Sequence, residues 1–182
     1  MLACVTMLIG TAACSGKSDD KSSDKPGATT SAGTPTPGGT SSSSTEEKLP
    51  DLTAAQVVAA FAGKNYKCST DEAYQTCAQG ITSVQVLIGD QPRPAVLSLQ
   101  ATGKSAEATT SLSEFAPQAL ELAHVNPRGQ IADWLKQQQG KTSGQTTAGD
   151  WTVEFSTEAD SDQPGAILTL TDTLCKVQCG AE

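Results

Sequence analysis

Basic and aromatic residues are scarce in this sequence, and their scarcity argues against several classes of function. Only 12 of the 182 residues are lysine or arginine, against 20 aspartates and glutamates, which gives a net charge of −8. Nucleic acid is therefore not expected as a partner, because binding to phosphates needs a basic surface. The single histidine, His124, leaves little scope for a histidine-based metal site or for histidine catalysis. Aromatic residues make up 4% of the chain, which is low for a stacking or carbohydrate-binding surface.

An uncharged and mostly apolar segment opens the chain and ends at a cysteine. Residues 1–13 have the sequence MLACVTMLIGTAA, and a polar run follows Cys14. A run of this length is too short to span a bilayer of about 30 Å, but it suits the apolar region of a signal peptide. With Thr11, Ala12 and Ala13 before Cys14, the segment resembles the lipobox of bacterial lipoproteins, in which small residues precede a cysteine.

The resemblance implies a lipid anchor at Cys14. It implies cleavage between Ala13 and Cys14, and a diacylglycerol on the Cys14 sulfur, so that residues 1–13 are a lipoprotein signal peptide. Two acyl chains hold a protein stably on a membrane, where one chain would be marginal. The protein would then lie on the outer, extracytoplasmic face of the cell membrane. Ordinary secretion, or a buried N-terminal helix with an unmodified Cys14, is the alternative.

A long polar segment follows Cys14. From Ser15 to Lys48 the chain contains no Val, Ile, Leu, Met, Phe, Trp, Tyr or Cys. Such a composition cannot bury enough apolar surface to offset the entropy of ordering the chain. Residues 14–48 are therefore predicted to be a lipidated cysteine and a disordered tether with a reach of roughly 30 to 35 Å. Its Ser, Thr and Pro bias resembles the tethers of surface lipoproteins in high-GC Gram-positive bacteria, the actinobacterial type.

Residues 49–182 are predicted to form a single folded domain. Thr53 and Gln56 form the pattern of a capping box ahead of apolar residues at helical spacing, and Gly63 follows as a stop, which predicts a helix over 53–62. Alternation of apolar and polar residues predicts the strands, each with one buried face. The first two form a hairpin whose turn contains Ser69, Thr70 and Asp71. The other strands are marked by Val84, Val86 and Ile88, by Leu97, Leu99 and Ala101, by Trp151, Val153 and Phe155, and by residues 166–170.

Two further helices are predicted in the middle of this domain. Ser111 and Glu114 form a second capping-box pattern, and Pro117 within the following apolar stripe should kink or divide that helix. Asn126 followed by Pro127 is the pattern of a cap with proline at the first helical position. The predicted order is α-β-β-β-β-α-α-β-β. The fold class is α+β, with helices packed on one face of an antiparallel sheet.

Four cysteines lie within the predicted domain, and they allow three disulfide pairings: Cys68, Cys77, Cys175 and Cys179. Spacing favours two local disulfides, because the first two flank the predicted hairpin turn and the last two are close in sequence. Each would contribute about 2 to 3 kcal/mol to stability. Crossed pairing of the tail with the hairpin is the alternative. Zinc binding or a redox-active pair is disfavoured, because neither spacing matches the usual motifs and the compartment is expected to be oxidising.

Two polar groups could carry chemistry, although each has a simpler explanation. His124 lies at a predicted helix end, where its charge suits the helix dipole, and no nucleophile can be paired with it. The loop containing Glu158, Asp160 and Asp162 could supply oxygen ligands to calcium. It lacks the pattern of an EF-hand loop, so a solvated hairpin turn is favoured.

The two tryptophans and a few acidic pairs complete the candidates. Trp134 and Trp151 could line a ligand cleft, but both are predicted to face inward, so packing in the core is favoured. Acidic pairs of the kind used by glycosidases occur by chance in so acidic a chain. They are Asp71 with Glu72 and Asp150 with Glu154.

The sequence therefore favours a non-enzymatic function without a cofactor or a metal. We expect a lipid-anchored, extracytoplasmic protein whose disulfide-braced domain binds a protein or a small ligand. A carboxylate-based hydrolase of the cell envelope, or a structural surface protein without a ligand, is the alternative.

Overall fold

The structure, a computed structural model, describes residues 46–158, 164–177 and 179, which contain three helices and seven strands. The predicted α+β class with an antiparallel sheet is confirmed. The elements, in chain order, are α1 (Ala54–Ala62), β1 (Lys67–Asp71), β2 (Tyr74–Gln79), β3 (Thr82–Leu87), β4 (Val96–Thr102), α2 (Ser105–Leu122), α3 (Arg128–Lys136), β5 (Ser143–Ala148), β6 (Trp151–Glu158) and β7 (Gly165–Asp172).

The seven strands form one sheet in the order β1-β2-β3-β4-β7-β6-β5, and every neighbouring pair is antiparallel. Leu99 on β4 lies opposite Val84 on one side and Leu168 on the other, and Leu168 lies opposite Phe155. These four side chains are buried in the same hydrophobic cluster as apolar residues of all three helices, such as Leu120. The alternation in the sequence therefore corresponds to the buried face of the central strands.

Helix α1 has the capping box that the sequence predicts. The Gln56 N–H lies 3.4 Å from the Thr53 hydroxyl oxygen, and the Thr53 N–H donates to the Gln56 side-chain oxygen at 2.9 Å. Gly63 is the C-cap residue. These two sites begin and end the helix, so the prediction for α1 is confirmed.

Helix α2 begins earlier than predicted. It starts at Ser105, so Ser111 and Glu114 lie in its interior and do not form a second capping box. The first part of the helix is rich in small polar residues, so its sequence does not show a helical apolar pattern. The structure accommodates one of them because the Thr109 hydroxyl donates to the Ser105 carbonyl oxygen at 2.7 Å, which satisfies the hydroxyl within the helix. Pro117 also lies inside α2 and does not divide it.

The turn of the first hairpin lies further along the chain than predicted. Ser69, Thr70 and Asp71 belong to β1, and Asp71 pairs with Tyr74, so the turn consists of residues 72 and 73. These polar residues are exposed along an edge strand, where polarity does not distinguish a strand from a turn.

Strand β5 was not predicted, so the predicted order is wrong by one strand. The sequence of β5, SGQTTA, lacks large apolar residues and resembles a loop. It is an edge strand that pairs only with β6. A Cβ atom at Gly144 would lie 2.5 Å from the side-chain oxygen of Gln138 and 3.3 Å from the ring of Trp134, so a side chain has little room there. Gly144 therefore contributes no apolar side chain to the pattern of this strand.

Both local disulfides that the sequence favours are present. Cys68 and Cys77 lie directly opposite each other on β1 and β2, with Cα atoms 4.0 Å apart. Cys175 and Cys179 are also bonded, with Cα atoms 5.7 Å apart. The first bond joins an edge strand to the strand that connects it with the rest of the sheet. Cys14, with the predicted signal peptide, lies outside the described residues.

Candidate functional site

Residues 46–52, which we call the strap, run along the connection between α2 and α3. They precede α1 and form no helix or strand. The side chain of Asn126 holds the strap by recognising its backbone. The Leu49 N–H donates to Asn126 Oδ1 at 3.1 Å, and Asn126 Nδ2 donates to the Leu49 carbonyl oxygen at 2.9 Å. Asn126 is thus occupied by the strap, and Pro127 is the N-cap of α3, contrary to the predicted cap.

His124 makes a second contact with the strap. It lies just beyond the end of α2, as predicted, and its backbone has a φ of 53°. Its Nδ1 lies 2.7 Å from the carbonyl oxygen of Pro50. Because a carbonyl oxygen can only accept, Nδ1 is the protonated nitrogen in this contact. His124 therefore holds the strap by a hydrogen bond, in addition to lying at the end of α2.

Arg128 and the first turn of α3 hold the other end of the strap. Arg128 Nε lies 2.9 Å from a carboxylate oxygen of Glu46, and its Nη1 donates to the Glu47 carbonyl oxygen at 3.1 Å. The Gly129 N–H donates to the same Glu46 carboxylate at 3.0 Å. The predicted boundary between tether and domain is residue 49, whereas Glu46 and Glu47, the first two residues that the structure describes, already contact the rest of the fold.

Arg93 lies at one end of the sheet, in the connection between β3 and β4. Its Nε donates to an Asp172 carboxylate oxygen at 2.8 Å, and its Nη2 donates to the other oxygen of that carboxylate. The guanidinium also lies over the ring of Trp151, 4.9 Å from the centroid. Only 12% of the Arg93 side chain and 8% of the Asp172 side chain are exposed. This is a bidentate and nearly buried ion pair.

The environment of this pair keeps both groups charged. Burial by itself raises the pKa of Asp172, but the Arg93 hydrogen bond, the Leu174 N–H and the charge of Arg93 together lower that pKa below its usual value. The pKa of Arg93 is raised, chiefly by its hydrogen bond to Asp172. Asp172 therefore remains ionised at neutral pH and neutralises Arg93.

A cleft of about 260 Å³ opens between the strap, Arg93 and the β5–β6 turn. Asp150 in that turn is fixed through its backbone, because the Thr173 N–H and hydroxyl both donate to its carbonyl oxygen at 2.9 Å. The ring of Pro127 lies against Gly149 in the same turn. The strap supplies Glu46, Lys48 and Asp51 to the lining, and the rest of the fold supplies Arg93, Pro127 and Asp150.

Two half-exposed carboxylates face Arg93 across this cleft. An Asp150 oxygen lies 3.5 Å from Arg93 Nη1, and an Asp51 oxygen lies 4.0 Å from it. Asp172 already neutralises Arg93, so these two carboxylates are in excess. Among the described lining residues, Lys48 balances one of them, and Glu46 is paired outside the cleft. The cleft walls therefore carry one net negative charge.

The two tryptophans and the acidic pairs have different positions in the fold. Trp151 is 3% exposed and Trp134 packs against the core, which confirms the prediction of core packing for both tryptophans. Asp71 ends β1, and Glu72 is the first residue of the β1–β2 turn. Asp150 faces the cleft. Glu154 accepts a hydrogen bond from the side chain of Gln145 on the face of the sheet that is turned away from the core.

The predicted acidic loop follows strand β6. Glu158 ends β6, and Asp160 and Asp162 lie outside the described residues. Within the part of the chain that the structure describes, no three His, Cys, Asp or Glu side chains are grouped so that they could hold a metal ion. None of the three helices in residues 46–158 has the length and the apolar character needed to cross a membrane.

Arg93 and Asp172 are among the residues of this site that were not predicted from the sequence, together with Glu46, Asp51 and Arg128. The sequence does carry a signal for one of them, because Arg93 is one of only two arginines and stands between Pro92 and Pro94. An arginine so placed in an acidic chain is a candidate for a specific ion pair. Its partner is 79 positions away in the sequence, and no local pattern indicates it.

Comparison with known proteins adds no relative: no protein-family model matches the chain, and no match was found among the curated proteins or the solved structures.

Proposed function

We propose that this protein is a lipid-anchored, extracytoplasmic binding module whose ligand places a cationic group in the Arg93 cleft. The observation that carries the proposal is the excess of carboxylate in a cleft whose only buried cation is already neutralised by Asp172, within the described residues. A protonated amine or a guanidinium would complete that charge balance. We assign no catalytic step to the cleft.

The geometry supports binding because the backbone that carries each of the two carboxylates is hydrogen-bonded to the rest of the fold before a ligand arrives. The backbone of Asp150 is fixed by Thr173, and Asp51 follows Pro50, which His124 holds. Groups that are already ordered lose little conformational entropy on binding, which favours affinity. The Pro127 ring adds an apolar surface beside these charges. A ligand with a cationic end on an aliphatic stem, such as a lysine side chain, suits this combination.

The proposed location rests on two other features. The lipobox-like residues before Cys14 support a lipid anchor, and the two disulfides are consistent with an oxidising compartment. Mass spectrometry of the protein purified from its own host tests the anchor directly. We expect a mature chain that begins at Cys14 and carries a diacylglycerol on that residue. An unmodified Cys14 would contradict the proposal.

The ligand class is tested with trilysine as the probe and with the same peptide acetylated at every Nζ as its neutral control. Titration of the oxidised full chain, followed by amide NMR, should show trilysine shifting the signals of Gly149 and Asp150. Replacing Asp150 by asparagine should weaken trilysine binding about tenfold, because one charged hydrogen bond is lost. The matched control is Glu107→Gln, at the start of α2 near the opposite end of the sheet. Equal binding of the acetylated peptide, or no shift in the β5–β6 turn, would contradict a cation site.

A further inference from the structure

Most hydrogen bonds that hold the strap come from the side chains of one short segment. His124 and Asn126 in the connection between α2 and α3, and Arg128 at the start of α3, alternate along the chain, and each contacts the backbone of the strap. Most strap residues are exposed. The side chain of Leu52, at the end of the strap, packs against the hydrophobic core. A segment with so little buried apolar surface belongs to the parts of a fold that open locally at low cost.

The same segment forms one wall of the Arg93 cleft. Lys48 and Asp51 belong to the strap, whereas Asp150 and Arg93 belong to the body of the fold. If the strap detaches, the cleft loses this wall with both Asp51 and Lys48, and Asp150 remains as the half-exposed carboxylate beside Arg93. The two-sided cleft therefore exists only while the strap is docked.

We propose that the strap is a detachable wall that controls the binding site, so that ligand binding and strap docking stabilise each other. This inference rests on the proposed function, because it takes the cleft as the binding site. A ligand that touches both walls must hold the strap in place, and release of the strap must weaken binding by the same factor, since coupling between two equilibria is reciprocal. A pull on the chain at Glu46 would therefore lower the affinity of the site.

Substitution of Arg128 tests the inference, because a docked strap and a released strap predict opposite changes in cation binding. Arg128 contacts the strap and is not part of the cleft lining. Arg128→Gln removes a positive charge close to the cleft. If the strap stays docked, this change should strengthen the binding of a cation. If Arg128 holds the strap, binding should weaken instead. The matched control is Lys136→Gln, which removes one positive charge from an exposed pair on the same helix.

Two measurements on the oxidised full chain keep this inference separate from the proposed function. Hydrogen exchange at the Leu49 amide, which bonds to Asn126, reports strap docking without any ligand. We expect Arg128→Gln to speed this exchange about tenfold and to weaken trilysine binding about tenfold, with Lys136→Gln changing neither. In the unsubstituted protein, saturating trilysine should slow the exchange at Leu49.

The outcomes are distinguishable. Absence of trilysine binding to the unsubstituted protein would overturn the proposed function, and the coupling with it, whereas Leu49 exchange would still report whether Arg128 holds the strap. Normal trilysine binding to Arg128→Gln, with fast exchange at Leu49, would overturn the inference and leave the proposed function intact. Unchanged exchange at Leu49 in Arg128→Gln would also overturn it, because the strap would not depend on this clamp.

Discussion

Replacing Leu168 by alanine is expected to lower the free energy of unfolding by about 3 kcal/mol. Leu168 lies on the central strand β7, opposite Leu99 and Phe155, and none of its surface is exposed. The truncation would remove buried methyl groups and leave a cavity between the sheet and the helices. The surrounding side chains are closely packed and would not move enough to fill this cavity. Urea denaturation with both disulfides intact measures the change.

The neighbouring residue provides the control. Thr169 faces the other side of the sheet, where its hydroxyl lies 3.3 Å from that of Ser98. Thr169→Ala should cost about 0.5 to 1 kcal/mol, the range for one hydrogen bond at a partly exposed position. A shift of register by one residue would exchange the two faces of β7. A larger loss for Thr169→Ala than for Leu168→Ala would therefore contradict the strand register.

The sequence predicts the parts of this fold in which buried residues recur at regular intervals along the chain. Leu97, Leu99 and Ala101 alternate with polar residues because one face of β4 is buried, and that alternation is visible without a structure. The capping box of α1 is equally local, because both partners lie within one turn. Ile88 shows the limit of the method, since it continues the alternation of β3 but lies beyond the end of that strand and is exposed.

The site is less predictable because its contacts join distant segments. The hairpin disulfide could be inferred, since Cys68 and Cys77 are separated by one turn. The strap could not, because Leu49 and Asn126 are 77 positions apart and the composition of residues 46–48 matches the tether before them. Asn126 also fits a helix cap by sequence. The structure uses the same amide for a backbone partner, and only the tertiary fold determines which partner it binds.

Replacing Arg93 by methionine is expected to lower the free energy of unfolding by about 3 kcal/mol at neutral pH. Methionine fills much of the same volume, but it leaves the Asp172 carboxylate buried without its partner. The double variant Arg93→Met with Asp172→Leu should lose less than the sum of the two single variants, because no buried charge remains. A strictly additive loss in this cycle would show that the pair contributes no coupling.

The pH dependence of stability gives an independent test of the same pair. The pKa of Asp172 is lower in the folded protein than in the unfolded chain, where it is about 3.9. The pair therefore stabilises the fold fully above that unfolded pKa, and the stabilisation is lost as the pH falls through the lower, folded pKa. Asp172→Asn should remove this contribution, so its stability should change less than that of the unsubstituted protein between about pH 5 and pH 2. Parallel curves for the two proteins would contradict an ionised Asp172, and with it the charge balance that leaves Asp51 and Asp150 in excess at the cleft.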